Sequence, residues 1–168
     1  NSTWRFLDDG SDQTGSGWNE SAFDDSEWRE GNGGFGYDST VEATIMDFGD
    51  DPDNKHITYY FRRKFLVGDV SSVNGLAANL LYDDGAIVYI NGVEAARVNL
   101  PDGPVTSNTS ALSASLEGVY EALNLEDAIG FLQNGENTIA VEVHQADAAS
   151  SDISFDTDLI STNTDGME

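Results

Sequence analysis

The sequence has 168 residues, 31 of them acidic and only 7 basic, for a formal net charge of −24. That balance excludes nucleic acid as a partner, because its phosphates are repelled, while 39% hydrophobic and 10% aromatic residues exclude a disordered acidic tail. There is no cysteine, hence no disulfide and no thiolate metal site, and no apolar run approaches the ~20 residues of a membrane-spanning helix.

The length fits one domain able to bury a core. Strands are predicted at 3–7, 57–67, 75–82, 86–90, 93–98, 138–145 and 154–160, where short runs of Val, Ile, Tyr and Phe are set off by glycine and Asn/Asp/Ser clusters. Two stretches read as helical: one turn over 21–28, and a longer helix or helical crossover over 120–131 carrying Leu123, Leu125 and Ile129. The clearest hairpin has Asn91-Gly92 between Ile87-Val88-Tyr89-Ile90 and Val93-Glu94-Ala95-Ala96, since Asn-Gly suits both left-handed positions of a type I′ turn. Residues 102–115 read as a long surface loop, and the polar stretch 161–168 as a linker to another domain of the same chain, leaving 1–160 as the folded unit. Alternation places Ile87, Tyr89, Val141, Val143 and Phe155 inward.

Four segments, in order, are similar to the sugar-binding jelly-roll domain beside the catalytic domains of β-galactosidase-type glycoside hydrolases. They are Phe23-Asp24-Asp25-Ser26-Glu27-Trp28, Tyr60-Phe61-Arg62-Arg63-Lys64-Phe65, Asp83-Asp84-Gly85-Ala86-Ile87-Val88-Tyr89-Ile90-Asn91-Gly92, and Gly135-Glu136-Asn137-Thr138-Ile139-Ala140-Val141-Glu142-Val143. A fifth, Glu142-Val143-His144-Gln145 with Ser150-Ser151-Asp152-Ile153-Ser154-Phe155-Asp156, resembles a variant of that domain found in large secreted bacterial proteins. The resemblance implies an all-β, antiparallel two-sheet sandwich of galactose-binding type with one or two short helices. It implies nothing as firm about a ligand, because function sits in sites grafted onto a fold.

Candidate carbohydrate-binding residues are Asp83, Asp84, Asn91, Arg97, His144, Gln145, Ser151 and Asp152, the densest supply of hydrogen-bonding groups near strand ends. Among the aromatics, Trp4 and Trp28 read as core, and Trp18, between Gly17 and Asn19, as the exposed ring for a sugar face. Arg62 reads as a neutraliser of interior or edge carboxylates. Carboxylates are the hard oxygen ligands that calcium takes, so Asp83 and Asp84, and the loop carrying Asp50, Asp51 and Asp53, are candidate calcium sites. The Asp-Asp-Gly triplet resembles that of lectin domains related to the anthrax protective antigen, where such a pair holds calcium.

No nucleophile elbow, phosphate loop or histidine-rich metal motif is present in the sequence. The expectation is a non-catalytic carbohydrate-binding or targeting module of a larger secreted, polysaccharide-active protein, with a ligand-free structural spacer as the alternative. The chain opens on Asn1 without an initiator Met, and we expect its export signal to lie elsewhere in a longer protein. Extreme acidity suits an extracellular, marine or brine setting, where salt screens surface charges within about 8–10 Å.

Overall fold

The β-branched and aromatic runs fold into β1 (Thr3–Leu7), β2 (Arg29–Asn32), β3 (Phe35–Tyr37), β4 (Thr44–Ile45), β5 (Thr58–Val67), β6 (Val73–Tyr82), β7 (Gly85–Ile90), β8 (Val93–Val98), β9 (Glu121–Asn124), β10 (Gly135–His144) and β11 (Ile153–Asn163). The computed structural model describes residues 2–38, 42–116 and 118–163. One sheet has the order β2-β1-β5-β10-β7-β8 and the other β4-β3-β11-β6-β9. Neighbours are antiparallel except β3 and β4. The expected two-sheet sandwich is the fold.

Between the sheets lies an aromatic layer. Phe61 of β5 stacks on Phe155 of β11 with centroids 4.0 Å apart, and Trp4 meets the same ring edge-on at 5.4 Å. Val141 and Val143 of β10 point into this core, as the alternation predicted, and Ile139 joins them. The hairpin turn is also as predicted: Asn91 and Gly92 have φ of 50° and 86°, the signs a type I′ turn requires.

Two expectations need correction. Ile87 and Tyr89 do not face the intersheet core. Val88 lies opposite Val141 in the ladder and shares its face, so Ala86, Val88 and Ile90 fill the core. Ile87 and Tyr89 lie on the outer side, under loops. A strand covered on both sides carries apolar residues on both, so its alternation does not reveal which face is inner. The second correction is over 120–131. Its first part is β9, paired with β6, and only Glu126–Phe131 is helical, as 3₁₀ turns. Leu123 and Leu125 are both buried two residues apart, a strand period rather than a helical one.

At the C-terminal end β11 extends through Ser161 and Thr162, opposite Leu76 and Gly75, to Asn163. Residues 164–168 of the expected linker lie outside the described residues.

Val141 has no solvent exposure and sits between the central strands. Replacing it with Ala should lower unfolding stability by about 1–3 kcal/mol through lost burial and a residual cavity. Chemical denaturation would show this as a shifted midpoint with unchanged slope.

Candidate functional site

The six-stranded sheet has a second covered face. β10 is buried on both sides: Val141 and Val143 face the core, while Ala140, Glu142 and His144 face the opposite way and are equally hidden. What covers them is the loop before β2 and the loop after β8. The first is fastened by Arg62 of β5, whose side chain has no solvent exposure. Its Nε donates to Asp25 Oδ2 at 2.8 Å, and its other nitrogens donate to the carbonyls of Trp18, Glu20 and Phe23. The guanidinium also lies over the Phe23 ring, 5.2 Å from the centroid. Arg62 therefore neutralises a carboxylate, as expected, and in addition gathers three backbone acceptors of one loop.

Fastened this way, the loop lays Trp18 and Trp28 over the sheet, stacked at 6.3 Å. Trp18 meets Tyr60 edge-on at 4.8 Å and Tyr89 at 5.7 Å. Trp18 is therefore not the exposed ring that the sequence suggested; it is 6% exposed, packed among three other aromatics. The apolar neighbours recruited by Arg62 bury a residue whose Gly and Asn flanks read as a loop tip.

Beside this aromatic cluster the two loops leave a groove of about 800 Å³, walled by Trp18, Tyr60, Tyr89, Leu100 and Val105. Its polar fringe is Glu20, Glu94, Asp102, Glu142 and Arg97. Tyr89 is the half-buried ring with surface to offer. Its hydroxyl donates to Glu142 Oε1 at 2.5 Å, and burial first, then the Glu142 charge, hold the phenol well above its usual range. Burial likewise raises Tyr60. The other Glu142 oxygen lies 3.2 Å from His144 Nε2. His144 Nδ1 is 2.7 Å from the Thr109 carbonyl, which only accepts, so Nδ1 donates there. Arg97 forms a two-point pair with Glu94 (2.9 and 2.7 Å) and donates to the Pro101 carbonyl at 2.7 Å. That pairing raises the Arg97 pKa.

Of the residues singled out in the sequence, Trp18 and Arg97 thus meet in one groove, and His144 stands behind it through Glu142. The others lie elsewhere. Asn91 saturates its amide, accepting from Thr138 N and Ser21 Oγ and donating to Phe131 O and Asn137 Oδ1, each at 2.8 Å. Gln145 donates to Tyr37 Oη and the Asp152 carbonyl, and Ser151 Oγ donates to Asp152 Oδ1. Asp84 accepts the backbone N–H groups of Ser115 and Ala146, both at 2.8 Å. Asp83 accepts from Ser115 Oγ. Next to them, a Cβ on Gly85 would sit about 3.0 Å from the Asn99 carbonyl and from Leu100, so the triplet's glycine admits the covering loop. The residues that the sequence reading left out of the site are Tyr60, Tyr89, Glu20, Glu94 and Asp102. The available signal was register: Tyr60, Ile87 and Glu142 are ladder partners and share a face.

The calcium candidates do not form a ready donor set. Both Asp84 oxygens are engaged by N–H donors. Asp50, Asp51 and Asp53 are exposed, and Asp51 Oδ1 accepts the Asp53 N–H. Among the described residues no group of three or more His, Asp or Glu side chains is placed to share a metal ion.

The two-sheet sandwich that carries this groove is a fold also present within glycoside hydrolases. A β-glycosidase from Bacteroides vulgatus superposes with a TM-score of 0.57 at 20% identity, over 97% of this chain and 20% of that one. A Bacteroides uniformis β-glucuronidase gives 0.55 at 22% identity, over 87% of this chain and 14% of that one. Bacteroides uniformis β-glucuronidase 2, covalently bound to cyclophellitol-6-carboxylate aziridine, gives 0.56 at 21%, over 94% and 17%. These likenesses show the fold, and the chain spans a fifth or less of each of these proteins. No protein-family model matches the chain, and no curated protein sequence does either.

Two outcomes follow from this geometry. Arg62→Met strands Asp25 and three carbonyls, and should cost about 3–5 kcal/mol, the usual penalty for breaking a buried pair from one side. Tryptophan emission should shift red as Trp18 and Trp28 become wet; unchanged emission would show that the loop holds without the guanidinium. Sodium and calcium chloride at matched ionic strength should raise the melting temperature equally, because screening of the −24 charge is common to both. An extra calcium increment, growing as RT ln(1 + [L]/Kd), would instead reveal a specific site.

Proposed function

We propose that this domain is a non-catalytic carbohydrate-binding or substrate-targeting module of galactose-binding type. It acts within a larger, secreted, carbohydrate-active protein of an extracellular and salty setting, and the groove beside Trp18, Tyr60 and Tyr89 is its binding site. The observation that carries the proposal is the convergence of an aromatic wall with several hydrogen-bonding side chains in one groove of about 800 Å³, the recipe by which small polar ligands are held. Tyr89 offers a ring to a sugar's C–H face. Glu94, Asp102 and Glu142 offer acceptors to hydroxyls, and Arg97 offers donors. The fold likeness to glycosidases supports the reading, since each superposition covers only a small part of a far longer glycoside hydrolase chain.

The fringe also selects. It holds the four carboxylates of Glu20, Glu94, Asp102 and Glu142 against the single cation Arg97, which Glu94 already occupies. Neutral sugars and amino sugars are therefore favoured over uronic acids, whose carboxylates meet like charge.

Affinity electrophoresis through neutral, amino-sugar and uronic-acid polysaccharides tests this directly. The wild-type chain should be retarded by one or both of the first two and run freely through the third. Tyr89→Ala and Glu142→Gln should each weaken retention by about tenfold or more, near 1.4 kcal/mol, while Asp83→Asn, away from the groove, should leave it unchanged. Free migration of the wild type through all three gels would favour a ligand-free spacer. Equal loss with Asp83→Asn would move the site to the Asp83-Asp84-Gly85 turn.

A further inference from the structure

The cation ledger of this acidic chain leaves one residue over. Of the seven basic side chains, Arg5, Arg29, Arg62, Lys64 and Arg97 pair with Glu30, Asp8, Asp25, Glu136 and Glu94. Lys55 donates to the carbonyls of Pro52 and Ser150. Arg63 has no ion pair and no hydrogen bond among the described residues.

Its position sharpens the point. Successive residues of a strand face opposite ways. Arg62 faces the outer loop, so Arg63, with Phe61 and Phe65, faces the space between the sheets. There it lines a second cavity of about 390 Å³, separate from the outer groove and within the usual size range of small-molecule sites. Trp4, Phe65, Val67, Leu76, Leu132 and Leu159 form the apolar part of its wall, and Ser2 and Ser161 add polar side chains. Two of its lining residues also carry buried polar atoms without a hydrogen-bond partner, Trp4 Nε1 and Thr157 Oγ1. Asp158 also lines the cavity, exposed and forming no ion pair with Arg63 among the described residues. A buried donor left unmade is costly, and the residues carrying two such atoms line one cleft with a guanidinium that no acid engages.

We propose that this cleft binds a small amphiphilic carboxylate. The apolar chain lies among Phe65, Leu76, Leu132 and Leu159, and the carboxylate sits on the Arg63 guanidinium, whose planar fork suits two-point pairing. The Trp4 indole N–H and the Thr157 hydroxyl are the further donors. A small molecule fits better than a docked protein segment, because the free groups sit inside the intersheet space rather than on the outer surface. The −24 field opposes any anion's approach, so binding here requires the local cation, and added salt should strengthen it.

Calorimetric titration of the chain with decanoate below its micellar concentration tests the proposal, with 1-decanol as the uncharged counterpart. The expected result is one decanoate per chain, bound at least about tenfold more tightly than the alcohol. Arg63→Gln should erase that preference while leaving alcohol binding and the melting temperature of the free protein in place. Thr157→Val, a substitution that keeps the shape of the side chain, should weaken decanoate severalfold and serves as the readout if Arg63→Gln does not fold. Absence of decanoate binding, equal affinity for the alcohol, or undiminished affinity in both variants would overturn the proposal. None of these outcomes bears on the outer groove.

Discussion

The covered outer face depends on one buried guanidinium. Arg62 stands on a central strand with no exposure, in a position where an unpaired charge would be prohibitive. Asp25 neutralises it, and the carbonyls of Trp18, Glu20 and Phe23 take its remaining donors. These partners all come from one irregular loop with little secondary structure of its own, so the arginine supplies the order that a ladder would otherwise give. With that loop in place, Trp18 and Trp28 can pack on Tyr60 and Ala140, and the sheet gains a second apolar layer. Removing the cation would release a polar network and an aromatic cluster together, which is why the two are energetically one unit.

The groove is what this layer leaves uncovered. The loop before β2 ends its coverage near Trp18 and Glu20, and the loop after β8 begins its own at Leu100 to Val105. Between them the sheet shows Tyr60, Tyr89 and Glu142. Glu142 is nearly buried yet joined to the Tyr89 hydroxyl on one oxygen and close to His144 on the other. A nearly buried carboxylate held by the Tyr89 hydroxyl presents a fixed acceptor and loses little freedom when a ligand arrives. His144, whose Nδ1 donates to the Thr109 carbonyl, packs beside that acceptor and fastens the sheet to the loop after β8.

Much of the architecture was legible because strand ends and turns are local chemistry. The Asn91-Gly92 turn, the span of β1 and the span of β8 follow from residues next to one another. The resemblance motifs were legible too, and the structure gives their physical sense: the Phe23–Trp28 segment and the Tyr60–Phe65 segment meet through the Asp25–Arg62 pair. The candidate site was less legible because it is built on register. Period-two alternation says that Ile87 and Tyr89 share a face, not which face that is. Only the pairing of Val88 with Val141 decides it. Trp18 was misjudged for a related reason: its flanking Gly and Asn describe the local backbone, whereas its burial is set by a cation 44 positions away in sequence. Polar residues beside strand ends, such as Asp84, Asn91 and Gln145, looked like ligand groups because sequence does not show that backbone donors and acceptors already engage them.

Arg62 and Arg63 make the contrast between the two faces of the sheet explicit. They are adjacent, of one type, and separated by the single step that turns a strand's side chain from one face to the other. On the outer face the chain supplies every partner the guanidinium needs. On the inner face it supplies none among the described residues, although carboxylates outnumber basic groups by 31 to 7. In so acidic a molecule a counter-ion is the easiest partner to provide. An inward cation in a cleft lined largely by apolar side chains, beside residues that carry two unserved buried polar atoms, is therefore the feature that points to an anion from outside the chain as its partner.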